Sequence, residues 1–215
     1  QYRGESLQTS KTSTVERPTT ASCGLWPWAE LARRRELDVE GLCSAAGIGP
    51  VSELRQPFAR WGQGTCNRIA QLVCEQLGSD AAMAAALTVE AGHFQLLELL
   101  VRTARTVGDG LRIGCGYFPL LHDGGRLVHE RLASGAHSVT WLPPDDLPVH
   151  HAFVELTFGV TVLGIRREAR YEDAAAAEVS FRRADAPGSA LYERVLETAS
   201  GAPAKKRTRL RATLN

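Results

Sequence analysis

Five of the six histidines, His122, His129, His137, His150 and His151, fall in one short stretch of the chain. Imidazole is the commonest nitrogen ligand of protein-bound metals, so two or three of these rings converging would hold a metal or an anionic group. That arrangement would describe a small metal-dependent hydrolase using the segment from His122 to His151. No two of the five stand four residues apart, however, and the cysteines lie elsewhere. Unliganded histidines are therefore the expectation, with no metal and no cofactor. Ser138 and Thr140 are near histidines in sequence, but alternate residues of a strand point to opposite faces. There is no G-x-S-x-G elbow, and Asp145-Asp146, following two prolines, read as a loop and helix start rather than an acid/base pair. Nothing here positively predicts an enzyme.

Gly108, Gly110, Gly114 and Gly116 give G-x-G-x-x-x-G-x-G, which is not the dinucleotide fingerprint, and the element expected before them is a helix rather than a strand. Close packing of a glycine-bearing helix explains them better. Tyr117, Phe118, Trp141, Phe153 and Phe158 come from three elements that should pack together, mostly as core. An apolar pocket with a few polar groups between those elements is the best candidate for a binding site. The residues expected to line it are Phe118, His122, Trp141 and His151.

These residues must be positioned by helices and a small sheet. Two short helices are expected within residues 25–47, the second capped by Asp38 and stopped by Gly47. Cys66, Ile69, Ala70, Val73 and Leu77 form one helical face within residues 63–78. Ser79 is expected to cap an alanine-rich helix running to about Gly92, and a further helix carries Phe94, Leu97, Leu100 and Val101. Thr106 caps the next, with Val107, Leu111, Cys115, Phe118 and Leu121 on its apolar side. Gly124-Gly125 then turns into two antiparallel arms, 126–132 and 137–142. Residues 149–165 match both the helical and the alternating pattern; a length of about 17 residues without a turn favours helix. Val179 and Phe181 alternate as a strand, and Pro187-Gly188-Ser189 opens a last helix with Leu191, Val195 and Leu196. The sum is an α+β fold, an N-terminal helical layer packed with a small antiparallel sheet and later helices.

Composition sets the boundaries. The 215 residues are 44% hydrophobic and 23% charged, enough for a substantial core without staples. The five cysteines form no CxxC pair, and no apolar run reaches membrane-spanning length. A cytoplasmic protein without membrane association is expected. Residues 1–22, rich in Ser, Thr and Gln, read as a disordered leader, 23–199 as the domain, and 200–215 as a basic disordered tail. The net charge of +1 divides into −4 over residues 1–199 and +5 over 200–215, where Lys205, Lys206, Arg207, Arg209 and Arg211 meet no acid. The acidic body gives no reason to expect DNA binding from this chain.

Several segments, in order, resemble the N-terminal, arabinose-binding-like effector domain of AraC-type transcriptional regulators. They are residues 42–48 (LCSAAGI), Gly78-Ser79-Asp80 before the alanine-rich helix, residues 92–97 (GHFQLL), residues 106–111 (TVGDGL), Asp123-Gly124-Gly125, and Val179-Ser180-Phe181 with Ala186-Pro187 and Tyr192. The resemblance favours helix for 149–165. It implies a ligand-sensing and dimerisation domain with a small-molecule effector, paired with itself or with a related regulator. The C-terminal helix-turn-helix pair of such regulators has no room in residues 200–215, so a truncated or frame-shifted regulator is expected. An interaction module that inhibits an intact regulator is the other reading.

Overall fold

The computed structural model describes residues 18–56, 58–144, 148–169, 176–181, 190–196 and 208–212. The chain enters through strand β1 (Thr19–Ala21), inside the stretch read as a leader, and continues directly into α1 (Ser22–Arg34). Helix α2 (Val39–Ala45) starts as its sequence dictates: the Asp38 side chain accepts from the Gly41 N–H, and Gly47 at φ +81° ends the turn beyond it. Strand β2 (Arg60–Gly62) pairs antiparallel with β1 and leads into α3 (Gln63–Leu77). On α3 the expected face is the buried one, with Cys66, Ile69, Ala70 and Val73 all within 1% of complete burial.

Helix α4 (Ala81–Ala86) is shorter than the expected run to Gly92, and its cap position is Asp80, whose side chain makes no capping bond. Beyond Ala86 the ladder tightens to three-residue bonds, with the N–H groups of Thr88 and Val89 donating to the Ala85 and Ala86 carbonyls at 3.0 and 3.2 Å, and the Thr88 hydroxyl also donates to Ala85 at 2.7 Å. Helix α5 (Gln95–Arg102) follows, then α6 (Val107–Tyr117), where the Thr106 hydroxyl accepts from the Asp109 N–H at 3.1 Å as expected. A short 3-10 turn over Phe118–Leu120 closes α6.

Strands β3 (Arg126–Arg131) and β4 (His137–Leu142) form the expected antiparallel hairpin, with Leu127 opposite Trp141 and His129 opposite Val139. Residues 151–169 are helical: α7 (His151–Ala169) resolves the ambiguous segment in favour of helix. Strand β5 (Ala176–Phe181), α8 (Ala190–Leu196) and β6 (Thr208–Ala212) complete the order. The sheet runs β3-β4-β6-β5, with β6 parallel to both β4 and β5, so a segment read from composition as tail sits between them. Asp145 and Asp146 lie outside the described residues, as does the helix start at 187–189.

The fold is α+β. Its core joins Leu25 and Trp28 of α1, Ile69 and Val73 of α3, Met83 of α4, and Phe153 and Phe158 of α7 into one buried cluster. Gly159 lets α7 cross α4 closely, since a Cβ there would stand 3.0 Å from Ala86 Cβ and 3.1 Å from Met83 Sδ. No helix among the described residues is long and apolar enough to cross a membrane.

Candidate functional site

One side of α7 is packed on α3, α4 and α8. Its other side faces a cavity of about 560 Å³ walled also by α1, α5, α6 and the β3–β4 hairpin. The size is that of a small-molecule site. Along α7 the wall is formed by Phe153, Leu156, Thr157, Val160, Thr161, Leu163, Gly164, Ile165 and Arg167, most of which recur every three or four residues along one side of the helix. Gly110 and Gly114 of α6 also line it, and Val101 of α5 lies within 3.6 Å of the Cβ position of either one. These glycines let α5 and α6 approach each other, which is their packing role. Gly108 serves the hairpin instead, with the His137 ring lying where a Cβ would be.

The first two elements shape the wall in a way the residue pattern did not reveal. Pro27 lies inside α1 and has no N–H for the carbonyl four residues back, that of Cys23. His93 Nε2 is 2.7 Å from that carbonyl oxygen and takes the vacant place. Burial pushes the His93 imidazole below its ordinary range, which keeps it neutral. Gly24 and Pro27 from this irregular turn both line the cavity.

The inner end of the cavity is aromatic. The segment around His122 is held by β1: the Ala21 N–H donates to the Leu121 carbonyl at 2.7 Å and the Asp123 N–H to the Thr19 carbonyl at 3.1 Å. His122 is fully buried, its Nδ1 2.8 Å from Thr20 Oγ1, and its ring 4.8 Å from that of Phe153 and 5.9 Å from that of Phe118. Burial pushes its pKa down to about 4, so it is neutral at pH 7. Nε2 has no hydrogen-bond partner among the described residues.

Of the four residues expected to line a pocket, Phe118 and His122 are in the wall. Trp141 stands behind them, stacked on His122 at 5.4 Å and edge-on to Phe118 at 5.5 Å, and fully buried. His151 stacks on His150 at 4.4 Å at the start of α7, away from the wall. The remaining histidines pair rather than converge: His129 Nε2 is 2.9 Å from His137 Nδ1 on the hairpin. Among the described residues, no group of three or more His, Cys, Asp or Glu side chains is placed to hold a metal ion. Cys115, the thiol in the wall, is pushed up to about 12 by burial and is not a nucleophile at neutral pH.

The outer end carries the charge. Glu98 and Arg102 stand one turn apart on α5, Arg105 follows, and Arg167 reaches in from the end of α7 to bond Glu98 at 3.2 Å. Glu98 also accepts from the Gly92 N–H at 2.7 Å. This is the part that sequence reasoning missed. Arginines three residues apart near a helix end look like any solvated surface, and only the fold brings Arg167 to them.

An α+β domain with a largely apolar chamber open at one end, a neutral imidazole inside and guanidinium groups at its mouth, has the form of a small-molecule-binding domain. The chain belongs to the family described as the arabinose-binding domain of AraC transcription regulators, N-terminal, whose model matches residues 37–204. No curated protein matches it. Family and fold agree on an effector-binding regulatory domain.

Proposed function

We propose that this chain senses a small-molecule effector in the cavity beneath α7 and transmits its occupancy to a transcriptional regulator by changing how the domain associates. The observation that carries the reading is the chamber of about 560 Å³ itself, because a largely apolar space of that size is where a small molecule would bury its own apolar surface. Phe118 and His122 are the effector contacts, with Trp141 fixing their rings from behind. The role is binding rather than catalysis. Signalling requires only that the effector favour one arrangement over another.

Self-association is supported by Leu96 and Leu99 on the outer side of α5, 57% and 61% exposed on a helix whose inner side lines the cavity. One helix would thus feel the effector and meet the partner, whether a second copy or a related regulator. The five free cysteines are consistent with action in the cytoplasm.

The test is a thermal-shift screen over metabolite classes on the wild type and on Gly164→Leu. A Cβ at Gly164 would meet nothing within 4 Å, so the leucine enters the cavity. A compound that raises Tm in the wild type and not in the variant supports sensing. If no class shifts the wild type, sensing is wrong.

A further inference from the structure

Helix α5 stands outside the core that its neighbours build. None of its side chains joins the buried cluster or packs against it, whereas Leu111 of α6, Met83 of α4 and Phe153 of α7 all belong to it. The helix is apolar on two sides all the same. Leu96 and Leu99 face outward, more than half exposed, while Leu97, Glu98 and Val101 face the chamber. Among the described elements it packs extensively on α6 alone, where Val101 lies against the room left by Gly110 and Gly114. A helix of eight residues does not hold itself together in water, and one that buries so little against the core opens before the core does.

The segment before α5 is anchored and the turn into it is not. His93 ties the chain to the Cys23 carbonyl of α1, and Gln95 then enters the helix at φ +47°, a left-handed conformation that side chains other than glycine disfavour. At the other end residues 103–106 connect α5 to α6.

What holds α5 over the chamber is polar. Glu98 Oε1 accepts from Arg167 of α7 at 3.2 Å and from the Gly92 N–H in the anchored turn at 2.7 Å. Glu98 Oε2 is buried with no hydrogen-bond partner among the described residues, and water reaches it only when α5 lifts. Closing the helix thus gains an ion pair and strands a carboxylate oxygen, two effects of opposite sign.

We propose that α5 is a lid on the chamber: it swings on Gln95 and on residues 103–106, Glu98 fastens it to Arg167 and to the Gly92 turn, and a small molecule enters when that fastening lets go. The inference rests on the chamber taking a ligand, as proposed above, and adds the route in. Leu96 and Leu99 ride on the lid, so its position also sets how they are presented to a partner.

The experiment needs no effector. Thr157→Cys places a thiol midway along the chamber wall, and its alkylation by N-(1-pyrenyl)maleimide, located by peptide mass, is followed in the full chain together with segment-resolved hydrogen exchange, with and without Arg167→Met. Cys66, completely buried away from the chamber wall, reports global unfolding. Expected are α5 amides exchanging roughly tenfold or more faster than those of α6. Arg167→Met should raise α5 exchange and alkylation at position 157 by the same factor, roughly fivefold or more, the equivalent of one weak ion pair, with Cys66 unchanged. Alkylation at 157 that stays constant while α5 exchange rises would show a route that bypasses α5 and overturn the proposal. So would α5 exchanging in step with α6, or Cys66 reacting in step with position 157, since the whole domain would then be opening. Arg167→Lys keeps the charge, should fall between the wild type and Arg167→Met, and gives the same readout if Arg167→Met does not fold. A silent metabolite screen alongside the expected results would remove the sensing reading and leave the lid standing.

Discussion

His93 Nε2 stands 2.7 Å from the Cys23 carbonyl, the oxygen that Pro27 leaves without its helical partner. A residue seventy positions away thus repairs α1 at the turn that forms part of the cavity wall. Replacing His93 with Ala should cost about 1–2 kcal/mol, the penalty for a buried carbonyl losing its donor. Pro27→Ala restores an N–H at that turn, so the cost of His93→Ala measured in that background should shrink. Urea denaturation of the four proteins of this cycle gives the coupling; a cost unchanged by Pro27→Ala would mean the histidine acts through packing alone.

The buried histidine makes stability pH-dependent. Burial holds His122 at about 4 against its ordinary 6.5, even though Asp123 pulls the other way. As pH falls from about 6.5 toward 4, the unfolded chain binds the proton and the folded chain does not, so stability declines across that window by about 3 kcal/mol from this residue. His93 and His129 are lowered too and add to the slope, so the His122 share is the difference from a variant. His122→Gln, which still offers a partner to Thr20, should flatten the profile between pH 6.5 and 4. Glu30, held down to about 2 chiefly by its bond from Arg33, loses its contribution lower, from about 4.5 toward 2. Identical slopes for wild type and His122→Gln would show that His122 is not buried in its neutral form.

The helices were legible because their signals are local. Asp38, Gly47 and Thr106 terminate helices by bonds and backbone angles set within a few residues, and the Cys66–Val73 face follows from spacing alone. Strands β1, β2 and β6 were not, since two are only three residues long and all are stabilised by partners distant in sequence. The site divides the same way. Phe118 and His122 were accessible through an aromatic and histidine cluster, but the guanidinium end depends on α7 returning past α5, which no spacing encodes. Trp141 had the right neighbourhood and the wrong layer: its ring is spent on packing against Phe118 and His122.

Two glycines of α6 should respond oppositely to the same substitution. A Cβ on Gly108 would stand 2.3 Å from the His137 ring, whereas one on Gly116 would meet nothing within 4 Å. Gly116→Ala should stabilise by up to about 1 kcal/mol through helix propensity. Gly108→Ala gains the same propensity but must displace the imidazole from its bond with His129, for a net loss of about 1–2 kcal/mol. Adding His137→Ala should recover most of that loss. Thermal denaturation of the single and double variants checks this, and a Gly108→Ala protein as stable as Gly116→Ala would refute the clash.

Tyr192 fastens α8 to two other parts of the fold through one oxygen. Its hydroxyl lies 2.5 Å from Glu155 Oε2 on α7 and 3.1 Å from the Ser79 carbonyl before α4, and Glu155 is completely buried. The tyrosine ring is itself buried, and packs edge-on to Phe181 of β5 at 6.4 Å. Tyr192→Phe keeps the ring and removes only the hydroxyl, so the effect reads the polar contacts and not the packing. Removing the hydroxyl takes a hydrogen-bond partner from a buried Glu155 oxygen, which should cost about 1–3 kcal/mol. The cost should be smaller when measured on top of Glu155→Gln, because the two side chains share the bond. Since α8 is a seven-residue helix, too short to persist alone, its amides should also exchange faster in Tyr192→Phe than those of α3. Hydrogen exchange resolved by segment separates the outcomes: a loss confined to α8 supports the fastening role, and uniform loss across α3, α7 and α8 would show that the hydroxyl supports the whole core instead.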